Sequence, residues 1–509
     1  MKRYLLLIAG LLAGAAACND QALDKINPNE LSVPTYFKTG KDIVSAVNAV
    51  YSSLQAQHLY GREYFFLHDT RSDEMQPGGG QLETQRAQLL NGVHRADNQV
   101  LTQVWQGWYR VIHQANVVIE NAPKATENVT EALRNRVIGE AKFLRGWAYF
   151  ELVSLWGGVP LSTSVVTTPG QSKGRASEDE VYAQVVSDLS EAITYLPPKS
   201  DYSDEEIGRA SRGAAQAMLA RAYLQRGQYA DARPLLEAVI QSGQYRLADV
   251  PYAENFREEN EFNAESVWEV SFSEAFGDFN WNNAGEGPAN EITFRAQEYG
   301  PTAWRNLIPS DRLLAEFETV TRGDAKDDPR YAYSFYAVGD AYNNGQDVLK
   351  AEQVQGAEPK VSWKKYQKLY KAPAENFAKS GINFRVIRYA EVLLMMAEVE
   401  NETGNPAKAL DYLNAVRARA DVQMPPYPTD RFPCRNGEEV FAALAHEKLV
   451  ELGGEQVRNR DLLRWRRLGK LKGEPLPYFQ SGRHELLPIP AQEISNNDKI
   501  DQADQNAGY

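Results

Sequence analysis

The sequence predicts a mainly α-helical fold in which paired helices build a scaffold, interrupted by one long loop-rich insert containing short strands. Three observations carry this. Apolar residues recur at steps of three and four over long stretches. A helix–glycine–helix pattern appears twice in the same register. Residues 245–380 lose the helical period and become rich in glycine, asparagine and aromatics.

In chain order, the first element lies ahead of the fold. Lys2 and Arg3 open an apolar or small-residue run, Tyr4 to Ala17, which ends Ala15-Ala16-Ala17 directly before Cys18. A basic start, an apolar stretch too short for a bilayer and a small-residue exit describe an export signal over residues 1–17. A cysteine directly after the small residues points to cleavage there and lipidation of Cys18, so that acyl chains hold the mature protein to a membrane. The alternative is an ordinary secretory signal with Cys18 near the cut. Residues 18–34 are polar with Pro28 and Pro34 and read as an extended tether. A single domain over 35–509 follows, with helical scaffold at about 35–244 and 381–509 and the insert at about 245–380.

The scaffold is justified helix by helix. Val137, Ala141, Leu144, Ala148, Leu152 and Leu155 share one helix face, and Gly157-Gly158-Val159-Pro160 stops that helix. Ser177 with Glu180 three residues later is a capping box. Its helix continues through Val181, Val185, Leu189, Ala192 and Leu196 to Pro197-Pro198. Residues 218–232 then read helix, tight turn at Gly227, helix, and residues 395–409 repeat the layout around Gly404. Both place an alanine seven residues before the glycine (Ala220, Ala397) and another five after it (Ala232, Ala409). Small residues at those points let paired helices approach closely, which is the tetratricopeptide-like arrangement. In the insert, Val267 to Phe272 alternates like a short strand, and the remainder reads as long loops. A long irregular insert in a helical scaffold is usually functional, so this is the expected ligand-facing part.

Composition excludes several classes of function. The chain is 43% hydrophobic, 24% charged and 10% aromatic, an ordinary globular mixture. Its formal charge of −13 becomes −15 once the two cations Lys2 and Arg3 are removed. Such an acidic chain is a poor partner for nucleic acid, whose binding rests on basic patches. Cys434 is the only other cysteine. With Cys18 lipidated, no intramolecular disulfide can form, and stability must come from packing. The six histidines (58, 68, 94, 113, 446 and 484) show no close metal-ligand spacing, and no HExxH or nucleophile elbow is present. No cofactor is expected, and a calcium ion bracing a loop is left open.

Several separated segments together resemble the SusD/RagB family of surface lipoproteins from gut and oral Bacteroidetes. They are Gly139-Glu-Ala-Lys-Phe-Leu-Arg-Gly-Trp-Ala-Tyr-Phe150 running into Trp156-Gly-Gly-Val-Pro-Leu161, then Arg388 to Glu398 and Leu413 to Ala420. Glu447 to Trp465, Leu487-Pro-Ile-Pro490 and the closing Gln505-Asn-Ala-Gly-Tyr509 complete the set. The resemblance covers nearly the whole chain. It implies a tetratricopeptide-type scaffold with a loop-rich face; the residues themselves give no argument for catalysis, with a helical glycoside hydrolase or lyase as the alternative. It also implies a SusC-like TonB-dependent outer-membrane transporter as partner, capture of oligosaccharide or polysaccharide for import, and a lipid-anchored place on the outer cell surface. Some members are thought to take peptides, so a peptide ligand stays open.

Binding glycans asks for flat aromatic faces to stack on sugar C–H surfaces and for side chains that hydrogen-bond hydroxyls. The segment 276–285 offers Phe279 and Trp281 among Asp278, Asn280, Asn282 and Asn283, between Gly277 and Gly285. Trp304 and Tyr299 flank Gly300-Pro301 as further candidates; all these aromatics alternatively pack under their own loops. Asp69, Arg71 and Asp73, in the loop that ends Gly78-Gly79-Gly80, either bind hydroxyls or pin the loop. Those glycines are no phosphate loop, because no Gly-Lys-Ser/Thr follows. Glu447 and Glu451 stand one helical turn apart, and such a carboxylate pair can serve glycoside hydrolysis. With Arg458, Arg460, Arg464 and Arg466 close in sequence, an ion-pair network locking the last helices is the more natural reading.

Overall fold

The computed structural model describes residues 36–247, 250–276, 291–319, 328–376 and 379–509. Its first half is helical: α1 (Gly40–Leu54), α2 (Glu63–Asp69), α3 (Thr84–Leu90), α4 (Gln99–Asn121) and α5 (Glu131–Trp156). The apolar stripe predicted from Val137 to Leu155 lies on α5, yet nearly every residue of α5 from Val137 onward is buried. A helix enclosed on all sides needs its charges paired. Arg145 holds Asp188 through two bonds of 2.8 and 2.7 Å. Glu151 holds Arg460 at 2.9 and 3.0 Å, and Glu140 holds Arg209 at 2.9 Å. Gly157, at φ 72°, ends the helix in a conformation that other residues resist.

α6 (Glu178–Tyr195) starts with the predicted capping box, Ser177 and Glu180 bonding reciprocally. It lies close against α5 because Gly146 has no side chain: a Cβ there would stand 3.1 Å from Asp188 Cβ and Leu189 Cγ. α7 (Arg212–Gln225) and α8 (Tyr229–Gln241) form the first predicted pair, turning at Gly227.

Between the helical halves the elements are short. Four two-stranded antiparallel sheets form among the described residues. β1 (Met75–Pro77) pairs with β3 (Leu307–Pro309), and β2 (Ser266–Val270) pairs with β8 (Phe384–Arg388). β4 (Phe335–Ala337) pairs with β7 (Val361–Trp363), and β5 (Ala341–Tyr342) with β6 (Asp347–Val348). β2 falls on the predicted strand but is buried along its whole length instead of on alternate residues. Trp268 accounts for one side, packing edge-on against Phe143 and Trp147 of α5. Three short helices accompany the strands: α9 (Arg295–Tyr299), α10 (Asp311–Glu316) and α11 (Arg330–Ser334).

The chain returns to helix in α12 (Tyr389–Glu402), α13 (Pro406–Arg417), α14 (Gly437–Leu452) and α15 (Arg458–Arg467). α12 and α13 are the second predicted pair, turning at Gly404 with φ 88°. Ala220, Ala232, Ala397 and Ala409 are all buried where the paired helices meet. α8 packs against α12, so the two pairs adjoin in space although the insert separates them in sequence. One apolar cluster runs through both helical halves and through β2 and β8. Among the described residues, no helix is long and apolar enough to cross a membrane.

Candidate functional site

The β1–β3 ladder carries the most distinctive loop geometry. Beyond Pro77 opposite Leu307 the backbones stay in register: Gly78 N–H donates to Asn306 O at 3.2 Å and Gly79 N–H to Arg305 O at 2.6 Å. A Cβ on Gly79 would stand 2.0 Å from the Trp304 carbonyl oxygen, so only glycine allows this approach. A third backbone stacks on the other side. Ala357 N–H donates to Gly78 O at 2.7 Å, and a Cβ on Gly356 would stand 2.2 Å from that same oxygen.

Arg305 fixes this platform from below. Its buried guanidinium donates to Ser362 Oγ at 2.8 Å, to Gln355 O and Ala357 O at 2.9 and 2.8 Å, to Val361 O at 3.1 Å and to Pro359 O. Trp304, the neighbouring residue, is half-buried, and its carbonyl oxygen is the atom that crowds Gly79. Behind it, Glu375 is fully buried and its backbone N–H donates to Thr302 Oγ1 at 3.1 Å. Burial pushes the Glu375 carboxyl up to about 8, so it is protonated at neutral pH.

The other sequence candidates separate into two groups. Tyr299 is fully buried and its hydroxyl donates to Asp69 Oδ2 at 2.9 Å, so its ring has no face toward solvent. Asp69 also accepts two bonds from Gln456 Nε2, at 2.8 and 2.9 Å. Burial pushes the Asp69 carboxyl up to about 6, against the opposing pull of Arg295. Asp73 is held by Arg458 at 2.7 and 2.9 Å and by Arg312 at 2.7 Å. Burial would raise its pKa, but those guanidiniums outweigh burial and keep it below the usual carboxylate range. Arg71, buried as well, donates to His484 O at 2.9 Å. Of the two roles left open for Asp69, Arg71 and Asp73, the geometry matches pinning: they tie residues 69–73 to the C-terminal region. Asp278, Phe279, Asn280, Trp281 and Asn282 lie outside the described residues.

Arg305, Gly356 and Glu375 were not singled out by sequence reasoning. The glycine run at 78–80 was the usable signal, because consecutive glycines permit close backbone approach as well as turns.

Glu447 and Glu451 are fully buried in an ion-pair network, but not with the arginines nearest in sequence. Glu447 meets Arg330 at 2.5 Å and Arg417 at 3.0 Å. Glu451 meets Arg330, Arg388 and Arg419 at 3.1, 3.2 and 3.3 Å. Burial alone would raise Glu451, yet these cations hold it down at about 2. Arg458, Arg460, Arg464 and Arg466 turn instead to Asp73, Glu151, Glu398 and Glu474. Among the described residues no group of three or more His, Cys, Asp or Glu side chains is placed to hold a metal ion.

The helical-pair scaffold thus carries a close-packed, glycine-lined platform of three backbones, with one half-buried tryptophan, Trp304, in it. Comparison with known proteins gives the family. A family model described as "Starch-binding associating with outer membrane" matches residues 22–224, and one described as "SusD family" matches residues 264–481. The chain belongs to the SusD/RagB family, whose members are non-catalytic binding proteins. It is 28% identical to "SusD-like protein P25" of Formosa agariphila over 95% of both chains. It is 24% identical to "Starch-binding protein SusD" of Bacteroides thetaiotaomicron over 75% of both. Among solved structures, a "Laminarin binding SusD-like protein" superimposes with a TM-score of 0.74 at 27% identity, covering 93% of this chain and 100% of that one.

Proposed function

We propose that this chain is a glycan-binding lipoprotein that captures oligosaccharide and delivers it to a SusC-like TonB-dependent transporter. Lipid on Cys18 would tether it to the outer face of the outer membrane, with residues 18–34 as the spacer below the domain over 35–509. The carrying observation is Trp304, half-buried at the edge of a platform rigidified by Arg305 and three glycines. An indole carried on a braced backbone suits stacking on sugar C–H surfaces, and a rigid support lowers the ordering cost of binding. The laminarin-binding relative supports the ligand class; Asp278, Phe279, Asn280, Trp281 and Asn282, outside the described residues, are proposed from the sequence alone as contacts to the same ligand. Binding to a panel of polysaccharides and a peptide digest tests this reading. Retention by a polysaccharide that is lost in Trp304→Ala supports it, and binding to peptides alone overturns the ligand class.

A further inference from the structure

His446 of α14 is buried, yet both nitrogens of its ring meet carboxylates. Nδ1 stands 2.5 Å from Oε1 of Glu316, the last residue of α10, and Nε2 stands 3.1 Å from Glu318 Oε1. A neutral imidazole has one N–H to donate and one lone pair, which here would face a carboxylate oxygen. Neither carboxylate supplies the missing proton, because each already accepts from an arginine. Arg431 donates to Glu316 at 3.0 Å, and Arg417 donates to Glu318 at 2.9 and 3.3 Å. Both contacts are satisfied only when both ring nitrogens donate, which makes His446 an imidazolium. Burial alone would depress its pKa. The bonds to Glu316 and Glu318 and the charge of Glu447 outweigh burial and raise it above the ordinary 6.5.

The other charged groups around the ring are committed elsewhere. Glu447 meets Arg330 and Arg417, and Tyr427 donates its hydroxyl to it at 3.0 Å. Arg312 of α10 and Arg458 of α15 meet Asp73, and Glu402 of α12 meets Lys470. Phe432 lies against the imidazole with 4.6 Å between ring centroids. Water still reaches the ion pair, because the Glu316 side chain is 23% exposed and borders a groove of about 920 Å³ along α14.

α10 also supports the platform. Only Ser310 separates it from β3, and that residue donates its backbone N–H to Glu74 O at 2.8 Å and its hydroxyl to Asp73 O at 2.6 Å. Leu313 of α10 shares an apolar cluster with Leu449 and Val450 of α14, so losing the His446 bonds would loosen the helix without unfolding it.

We propose that His446 is a proton-dependent latch: as an imidazolium it seats α10, and with it the β1–β3 ladder, on α14, and alkaline loss of one ring proton loosens both. Its stabilisation is full below the ordinary 6.5 and is lost as pH rises through the higher value of the folded protein. The latch stands apart from glycan binding, so its test needs no ligand. The full chain in detergent, carrying nitrogen-15-labelled histidine, is followed by imidazole NMR, with His446 assigned by His446→Gln. An imidazolium at pH 7 that titrates only toward alkaline pH is expected, and Glu316→Gln should move that titration to lower pH. A neutral ring at pH 7 overturns the latch. Hydrogen exchange, corrected for its intrinsic pH dependence, reads the transmission. Protection of residues 311–318 and 75–79 should fall about fivefold or more from pH 7 to pH 9 in wild type, with α6 unchanged. In His446→Gln it should stay level; if that variant does not fold, Glu316→Gln replaces it, with the fall starting at lower pH. Equal pH dependence in wild type and variant overturns the latch, and a fall confined to 311–318 overturns its reach to the ladder.

Discussion

Gly79 shows how a single missing side chain sets the site. The Trp304 carbonyl occupies the space where a Cβ would lie, only 2.0 Å away. Gly79→Ala must therefore part the ladder, and overpacking of this kind costs about 1–3 kcal/mol. The expected result is a lower urea midpoint together with weaker oligosaccharide binding, because Trp304 moves with the strand. Asp69 gives a pH signature. Its pKa rises from 3.8 to about 6 on burial, so the folded chain holds a proton that the unfolded chain releases between those values. Its contribution is fully present below about pH 4 and is lost as pH rises through 6. Asp69→Asn lacks this loss, so its stability relative to wild type should improve on going from pH 4 to pH 7, by about 2–3 kcal/mol. Urea unfolding of both proteins at the two pH values checks it.

At the scale of elements, the helices were legible and the ladder was not. Ser177 and Glu180 announced the start of α6, and Ser177→Ala should lower stability by about 1 kcal/mol, read from the urea midpoint. Gly227 and Gly404, flanked by alanines at matching distances, marked both helix pairs because close helix contact leaves a local imprint on composition. β1 and β3 leave none. Three residues are too few for an alternation pattern, and the two strands lie more than two hundred residues apart in the chain. The glycine run at 78–80 was visible, but its partner, the Trp304–Arg305 backbone, was set by the tertiary fold. Tyr299 illustrates the same limit, since an aromatic beside Gly-Pro looks like a loop ligand until Asp69 is found beneath it.

Across the whole molecule, buried charge joins the insert to the scaffold. Arg388 at the end of β8 meets Glu265 beside β2, Glu451 in α14 and Glu455 just after it. Arg330 of α11 adds Asp328, Glu447 and Glu451. The pairing of Glu447 and Glu451 was expected, but their partners come from distant segments that the sequence alone does not bring together. Arg388→Met would leave Glu265 and Glu455 short of a cation in a dry interior. Breaking such a network costs about 3–5 kcal/mol, so thermal unfolding should occur markedly lower than in wild type. Rigidity of this kind holds the insert fixed against the scaffold.

The central claim is that Trp304 is a glycan contact and not a structural residue. Calorimetric titration of wild type and Trp304→Ala with the best-retained oligosaccharide tests it most directly. The account predicts a loss of affinity of roughly tenfold, about 1.4 kcal/mol, with an unchanged urea midpoint. Equal affinity in the two proteins would contradict it.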